Sequence, residues 1–238
     1  VMQENTNVVD VKLSLLKIPL YGDNCRQKGE DISKGSLVLK KGSKIDSRNL
    51  NLIAAIGCNK VKVYSSLKVG FFTSGNELVK PTIKLKNSKI NNSNYYLLSS
   101  LLNKNYIDKK FLGNLPDNSV KIKTKILSQI PKYNLIITTG GASVGDEDHL
   151  IDTLKNNGKI FFWRAAIKPG RPIAIGKIKN TYIVCLPGNP VSVQLLFAFV
   201  VRPLILKLIG SPMLKITSEK IKTDFSMVKK TKRLEWLR

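Results

Sequence analysis

The residues best suited to chemistry gather in three loops rich in small side chains, TSGNEL (73–78), TTGGASVGDED (138–148) and LPGNPVS (186–192). Their glycines permit positive φ and close backbone approach, and successive N–H groups in such turns make anion-binding nests. The second loop ends in Asp146, Glu147 and Asp148. Amide donors can hold phosphate oxygens while neighbouring carboxylates hold a Mg²⁺ ion that bridges to those oxygens. The same acids would equally serve to cap and charge the start of a helix near His149. Asp117, just ahead of SVKIKTKIL, has the same two readings, whereas Glu77 beside Gly75 is harder to explain by capping and reads as either a solvated loop residue or a ligand. In FWRAAIKPGRP (162–172), Arg164 and Lys168 are four residues apart and would share a face of an extended strand, an arrangement that suits a diphosphate or a tetrahedral oxyanion. A solvated basic edge is the plainer alternative, and Arg171 follows at its exit. Pro187 and Pro190 bracket Gly188-Asn189, a rigid loop that Pro190 can turn into a helix, with anion binding at that N-terminus as the sharper possibility. His149 is the only histidine, which leaves no histidine cluster for a metal, and it reads as an ordinary helix-start residue rather than a triad member.

Placing these loops requires a scaffold, and from Leu67 onward the pattern alternates strand and helix. LKVGFFT, YIDKKFLG and NLIITTG read as strands; NYYLLSSLLNKN (capped by Asn94), SVKIKTKILSQI and HLIDTLKNN read as helices. IFFWRAAIKPG, RPIAIGKI and TYIVCLPG read as further strands before a long helix from Val191. Such alternation predicts a mostly parallel sheet with helices on both faces, whose ligands gather at the carboxyl ends of the strands. Upstream, residues 1–33 predict a small β-rich region with a turn at Tyr21-Gly22-Asp23-Asn24. Residues 34–66 predict a helix over SRNLNLIAAIGC, capped by Asp46 or Ser47 and stopped by Gly57, and then a strand KVKVY. The α/β domain spans 67–212, and 213–238 read as the start of a further β domain.

Composition narrows the function classes. The formal charge is +24, from 40 Lys and Arg against 16 Asp and Glu. The lysines run along the whole chain with no RNP-type strand or basic recognition helix, so the charge reads as a lysine-rich surface rather than a nucleic-acid interface. It would still steer small anions. The three cysteines form no CxxC pair and point to neither a disulfide framework nor a zinc site, in keeping with a reducing cytoplasm. The longest apolar stretch, VSVQLLFAFVV (191–201), is expected to stop at Arg202-Pro203, short of the roughly 20 residues of a membrane span. Val1 reads as mid-strand and RLEWLR as another, the pattern of a piece of a longer protein.

VMQE, RQKGEDISKGSLVLKKG, TSGNEL, TTGGASVGDED, FWRAAIKPGRP, LPGNPVS and KTKRLEWLR run in one order over nearly the whole chain. Together they resemble the molybdopterin molybdenumtransferases, the MoeA family that includes the E domain of gephyrin. The resemblance implies a homodimer whose subunit has a three-layer, MogA-like α/β domain flanked by small β-rich domains. It implies insertion of molybdenum from molybdate into adenylylated molybdopterin, received from a molybdopterin adenylyltransferase, with Mg²⁺-dependent release of AMP. Its functional acids fall on Asp31, Glu77, Asp117 and Asp148, the last three as metal ligands, and its basic pair on Arg164 and Lys168. Its substrate-cradling positions fall on Thr73, Ser74, Gly75, Gly140, Gly141, Ser143, Gly145, Pro187, Gly188, Asn189, Pro190 and Arg233. Arg164 stands where relatives often carry lysine, and Asn91-Asn92 where they often carry Tyr-Asp. An adenylyltransferase-like enzyme and a non-catalytic pterin-binding scaffold are the alternatives.

Overall fold

A computed structural model of the chain describes residues 1–85, 88–140, 146–212, 217–228 and 232–237, with backbone alone for 146–148. The chain forms two compact units, Val1–Lys40 with Ile45–Asn59, and Lys41–Lys44 with Lys60–Arg238.

The first unit holds an antiparallel hairpin, β1 (Thr6–Val9) and β2 (Lys12–Leu15), in which Thr6 faces Leu15 and Val8 faces Leu13. Asp10 closes the link at φ 52°, a left-handed conformation that Asp tolerates. The Tyr21–Asn24 turn is present, with Asp23 and Cys25 amides donating to the Leu20 and Gly22 carbonyls. Helix α1 (Ser47–Ala55) begins at Asp46, whose carboxylate accepts from the Arg48 and Asn49 amides. Those bonds, the Asn49 amide first, hold the Asp46 carboxyl below the usual carboxylate range. The cap is therefore intact at neutral pH and is lost as pH falls through that lowered value. At the other end Gly57, at φ 76°, donates to Ala54 while Cys58 donates to Ile53, the paired bonds of a Schellman stop.

The second unit is a three-layer α/β structure. In chain order it contains β3 (Leu67–Ser74), β4 (Leu78–Val79), β5 (Ile90–Asn91), α2 (Ser93–Leu101), β6 (Ile107–Leu115), α3 (Ser119–Gln129), β7 (Leu135–Thr139) and α4 (Asp146–Asn157). These are followed by β8 (Lys159–Trp163), β9 (Ile167–Lys168), β10 (Ala174–Ile178), β11 (Thr181–Leu186), α5 (Pro190–Leu196), α6 (Arg202–Leu208) and β12 (Leu234–Glu235). Six strands form one sheet in the order β6-β3-β7-β11-β10-β8. β6, β3, β7 and β11 are parallel, and only β10 runs against its neighbours. Side chains alternate across the sheet. Val69, Phe71, Ile137, Val184 and Leu186 pack on one side with Leu98 and Leu102 of the α2 region and Val193, Leu196 and Ile205 of α5 and α6. Phe72, Ile136 and Ile183 pack on the other with Ile122 and Ile126 of α3 and Leu150, Ile151 and Leu154 of α4. Burial on both faces explains why β3 and β7 read as continuous apolar runs.

Four local expectations are corrected. KVKVY is not a strand: alternation favours an extended chain, but no neighbour supplies a ladder for residues 60–64. Asn92, not Asn94, caps α2, accepting from the Tyr95 amide, because a run of asparagines offers several registers for one cap. Pro203 does not end the long helix. Residues Phe197–Val201 form a π-helical segment that loosens the hydrogen-bond ladder just before the proline, and helix continues to Leu208. The helical run Pro190–Leu208 is therefore long and apolar enough, by length and composition, to cross a membrane. Its Val193, Leu196, Phe197, Val201 and Ile205 are buried in the core beside the sheet. Finally, the stretch from Phe162 to Lys168 is not one strand: Arg164 adopts φ 64°, which ends β8 and leaves β9 as a separate pair of residues.

At helix α3 the cap and the neighbouring acid are different residues. Asn118 is the cap, its side-chain oxygen accepting from the Lys121 amide at 3.0 Å. Asp117 is exposed beside it and takes no part in that bond. Asn118→Ala is expected to destabilise the fold by about 1 kcal/mol in denaturant titration, and Asp117→Ala to leave stability unchanged.

Candidate functional site

Strands β3, β6, β7, β8 and β11 all end at one edge of the sheet, so the loops that follow them emerge together. β3 leads into α2 on one face, and β7 leads into α4 on the opposite face. The two strands are neighbours, so their loops diverge and open a crevice at a topological switch point, the usual ligand position in such sheets.

Glycines allow the three loops to close on one another. A Cβ on Gly140, at φ 84°, would lie 2.3 Å from the Ser74 carbonyl oxygen, and one on Gly188 would lie 3.4 Å from the Gly140 Cα. TSGNEL, TTGG and LPGNP are thus in direct backbone contact. The Asn94 side chain locks the third loop by donating to the Gly188 carbonyl at 2.7 Å. Pro187 is buried, and Asn189 caps α5 by accepting from the Val191 amide at 2.9 Å with Pro190 as the first helical residue. That cap occupies one of the amides an anion would use. Gly75, at φ 131°, leaves room for the Glu77 carboxylate, whose oxygens lie 2.4 and 2.5 Å from where a Cβ would stand. Glu77 is therefore folded back over its own loop while remaining exposed.

Several polar groups at this edge are buried without hydrogen-bond partners. Among the described residues these include the Ser74, Thr138 and Thr139 hydroxyls and the Asn94 side-chain oxygen. Ser74 is 3% exposed, Thr138 0%, Thr139 1% and Asn94 7%, so water does not reach them freely. An orphaned hydroxyl in such surroundings costs on the order of 1–3 kcal/mol. The sequence reading placed Thr138 and Thr139 in a candidate loop and Asn94 at a helix cap, and singled out none of the three as a site residue. The usable signal was a pair of threonines closing an otherwise apolar strand.

The remaining site residues are dispersed. Asp148, with Asp146 and Glu147, lies in the first turn of α4, whose helix starts earlier than His149. Gly141, Ser143 and Gly145 lie outside the described residues. Asp117 leaves the same edge after β6. Arg164 is exposed, with its guanidinium 4.4 Å from the centroid of Trp163, a ring that Lys155 approaches at 4.8 Å. Lys168 pairs with Glu235 at 3.6 Å, β9 running parallel to β12, and Arg233 is half-buried just ahead of that strand. Asp31 belongs to the other unit, where it is paired with Arg26 at 2.7 Å. It sits in an open depression of about 500 Å³ lined by Arg26, Glu30, Ser33 and Ala55, among others. Among the described residues no three metal-ligating side chains converge.

Comparison with known proteins identifies the family. Residues 70–207 match the family described as a probable molybdopterin binding domain, and residues 1–57 match the MoeA N-terminal region, domains I and II. A molybdopterin molybdenumtransferase of Haemophilus influenzae is 38% identical over 211 residues, covering 88% of this chain and 52% of the relative. A putative molybdopterin biosynthesis protein of Methanocaldococcus jannaschii is 30% identical over 240 residues, covering 96% and 60%. Two structures of the molybdopterin biosynthesis MoeA protein of Pyrococcus horikoshii superpose with TM-scores of 0.70 and 0.68 at 31% and 28% identity. They cover 88% and 89% of this chain and 52% and 51% of theirs. The chain spans about half the length of the curated relatives it matches. With a MoeA N-terminal region and a molybdopterin-binding domain in one polypeptide, and a crevice built from the loops that carry the resemblance, the chain belongs to the MoeA family of molybdopterin-binding proteins.

Proposed function

We propose that the protein acts in molybdenum cofactor biosynthesis as a molybdopterin molybdenumtransferase, taking adenylylated molybdopterin and molybdate and releasing AMP as the metal enters the dithiolene. The observation that carries the reading is the switch-point crevice, where three loops meet around buried, unpartnered hydroxyls and an amide oxygen. A pterin edge offers donors and acceptors of the kind those groups lack. The Gly140, Gly141 and Gly145 loop, with Ser143, is assigned to the pterin or diphosphate, and Ser74 and the 187–190 loop to the same ligand. Arg164 and Lys168 would neutralise phosphate or molybdate, and Arg233 would support them from the chain's last described segment.

The magnesium requirement is compatible with the donor set. Glu77 and Asp117 present hard carboxylate oxygens at this edge, and Asp148 lies in the first turn of α4. Mg²⁺ commonly takes only one or two carboxylates when substrate phosphates and waters complete its shell, so a three-ligand cluster is not required. Glu77, Asp117 and Asp148 would hold it, and the bound ion would supply charge neutralisation at the phosphoanhydride. The chain's own contribution is positioning and electrostatic stabilisation; no covalent nucleophile is required. Domains 1–33, 34–66, 67–212 and 213–238, a homodimer, a cytoplasmic location, Asp31 as a further site acid and substrate delivery by an adenylyltransferase belong to the same reading.

The test incubates the full-length protein with adenylylated molybdopterin, molybdate and Mg²⁺, following AMP release together with reconstitution of an apo-molybdoenzyme. The expected result is AMP release coupled to active cofactor, lost when Mg²⁺ is chelated. Tight molybdopterin binding with no AMP release would overturn the transferase reading and leave a pterin-binding scaffold.

A further inference from the structure

Thr73 stands in the first loop at the end of β3, yet its side chain is committed elsewhere. It is 0% exposed, and its hydroxyl has two partners: Asn92 Nδ2 at 2.9 Å and Asn114 Oδ1 at 2.6 Å. The α2 cap fixes the direction of the first bond. Asn92 Oδ1 accepts the Tyr95 amide at 3.1 Å as the cap of α2, so Asn92 can offer Thr73 only its NH₂ group. The Thr73 oxygen accepts from Asn92, and its single proton goes to Asn114. No proton remains for a ligand.

A bulge in β6 makes this possible. Phe71 pairs with Phe111, but Thr73 pairs with Asn114, so β6 carries one residue more than β3 across this step. Gly113 takes φ 98° there, and a Cβ on it would meet nothing within 4 Å, so backbone conformation and not space requires the glycine. The extra residue reverses the strand's alternation. Leu112 and Leu115, three apart, both pack on the α3 side, and Asn114 is turned to the α2 side beside Thr73. Without the bulge, period-two alternation would aim Asn114 at the opposite face.

Asn92 also closes the loop through its backbone, donating to the Val79 carbonyl at 2.9 Å. One residue thereby joins the start of α2, the far side of the 75–79 loop and the end of β3. We infer that the Asn92–Thr73–Asn114 relay, set by the Gly113 bulge, is a positioning device that holds Ser74, Gly75 and Glu77 at the crevice, and that Thr73 is not itself a ligand contact. Ser74 is left as the hydroxyl of this loop that faces a ligand. The effect on loop order is independent of what binds; the effect on affinity rests on the molybdopterin reading.

Hydrogen exchange of the ligand-free protein tests the first part. Thr73→Val and Asn114→Leu are expected to accelerate exchange over residues 74–77 by about fivefold to tenfold, the scale of one lost interior hydrogen bond. Exchange in β11 should be unchanged. Thr73→Ser and Asn114→Asp keep the donor or the acceptor and should restore slow exchange. Molybdopterin affinity should fall and recover in parallel. Unchanged exchange in the valine and leucine variants, equal acceleration in β11, or no recovery in the conservative variants would each overturn the inference. Wild-type protein that fails to bind molybdopterin, while the exchange pattern appears as expected, would reject the ligand assignment and leave the relay supported.

Discussion

Gly140→Ala is expected to abolish molybdopterin binding in a protein that still folds. The added methyl would lie 2.3 Å from the Ser74 carbonyl oxygen, and the residue holds φ 84°, where a side chain is strained regardless of space. Neither partner can yield cheaply. Thr73 and Thr139, the residues before each contact, are paired in the parallel ladder of β3 and β7, and Gly188 also packs close to Gly140. Relief therefore requires the strand ends to part, which opens the crevice that the loops enclose. Left-handed strain and overpacking each cost on the order of 1–3 kcal/mol, so denaturant titration should register a loss of about 2–6 kcal/mol. Gly22→Ala supplies the comparison, since Gly22 has φ 90° but nothing within 4 Å of its would-be Cβ. That variant should lose only the conformational part and bind molybdopterin normally. Retention of affinity within about threefold in Gly140→Ala would show that the loop contact does not shape the ligand site.

What the sequence disclosed here follows the range over which each signal acts. Apolar runs such as LIITT and helical repeats such as VKIKTKIL report burial, a property of consecutive residues, so the α/β class and the strand order along the chain could be read directly. Parallel strands then require their following loops to share an edge, which is why TSGNEL, TTGG and LPGNP group together from the sequence alone. Features that depend on a distant partner were not legible. KVKVY alternates like a strand, but pairing is decided by a neighbour it lacks. The left-handed turn at Arg164, which separates it from Lys168, leaves no mark in FWRAAIK. Likewise Thr73 looks like a ligand contact until Asn114, 41 residues away and turned by a bulge, takes its proton. Thr138 and Thr139 open the TTGGASVGDED loop, but threonine in a strand is ordinarily a β-former, so nothing in the sequence marks their hydroxyls as unpartnered.

Those two threonines yield the most discriminating substitution, because stability and binding should move in opposite directions. In the ligand-free protein each hydroxyl is essentially inaccessible and unpartnered among the described residues. Valine matches threonine in shape, so Thr138→Val and Thr139→Val remove a buried polar group while leaving packing in place. Each should raise unfolding stability by about 1 kcal/mol, and the double variant by about 2 kcal/mol, since replacing an unsatisfied polar group by an apolar one removes its desolvation cost. The ligand, if it supplies the missing partners, loses those bonds. Molybdopterin affinity should fall about fivefold to tenfold per substitution, which a fluorescence titration resolves. A purely structural role predicts a different pair of results: hydroxyls that contribute to the fold would make the valine variants less stable and leave affinity untouched. Greater stability with unchanged affinity would place the ligand elsewhere on the sheet edge. Only a site that keeps its polar groups unsatisfied until a ligand arrives gains stability and loses affinity in the same variant.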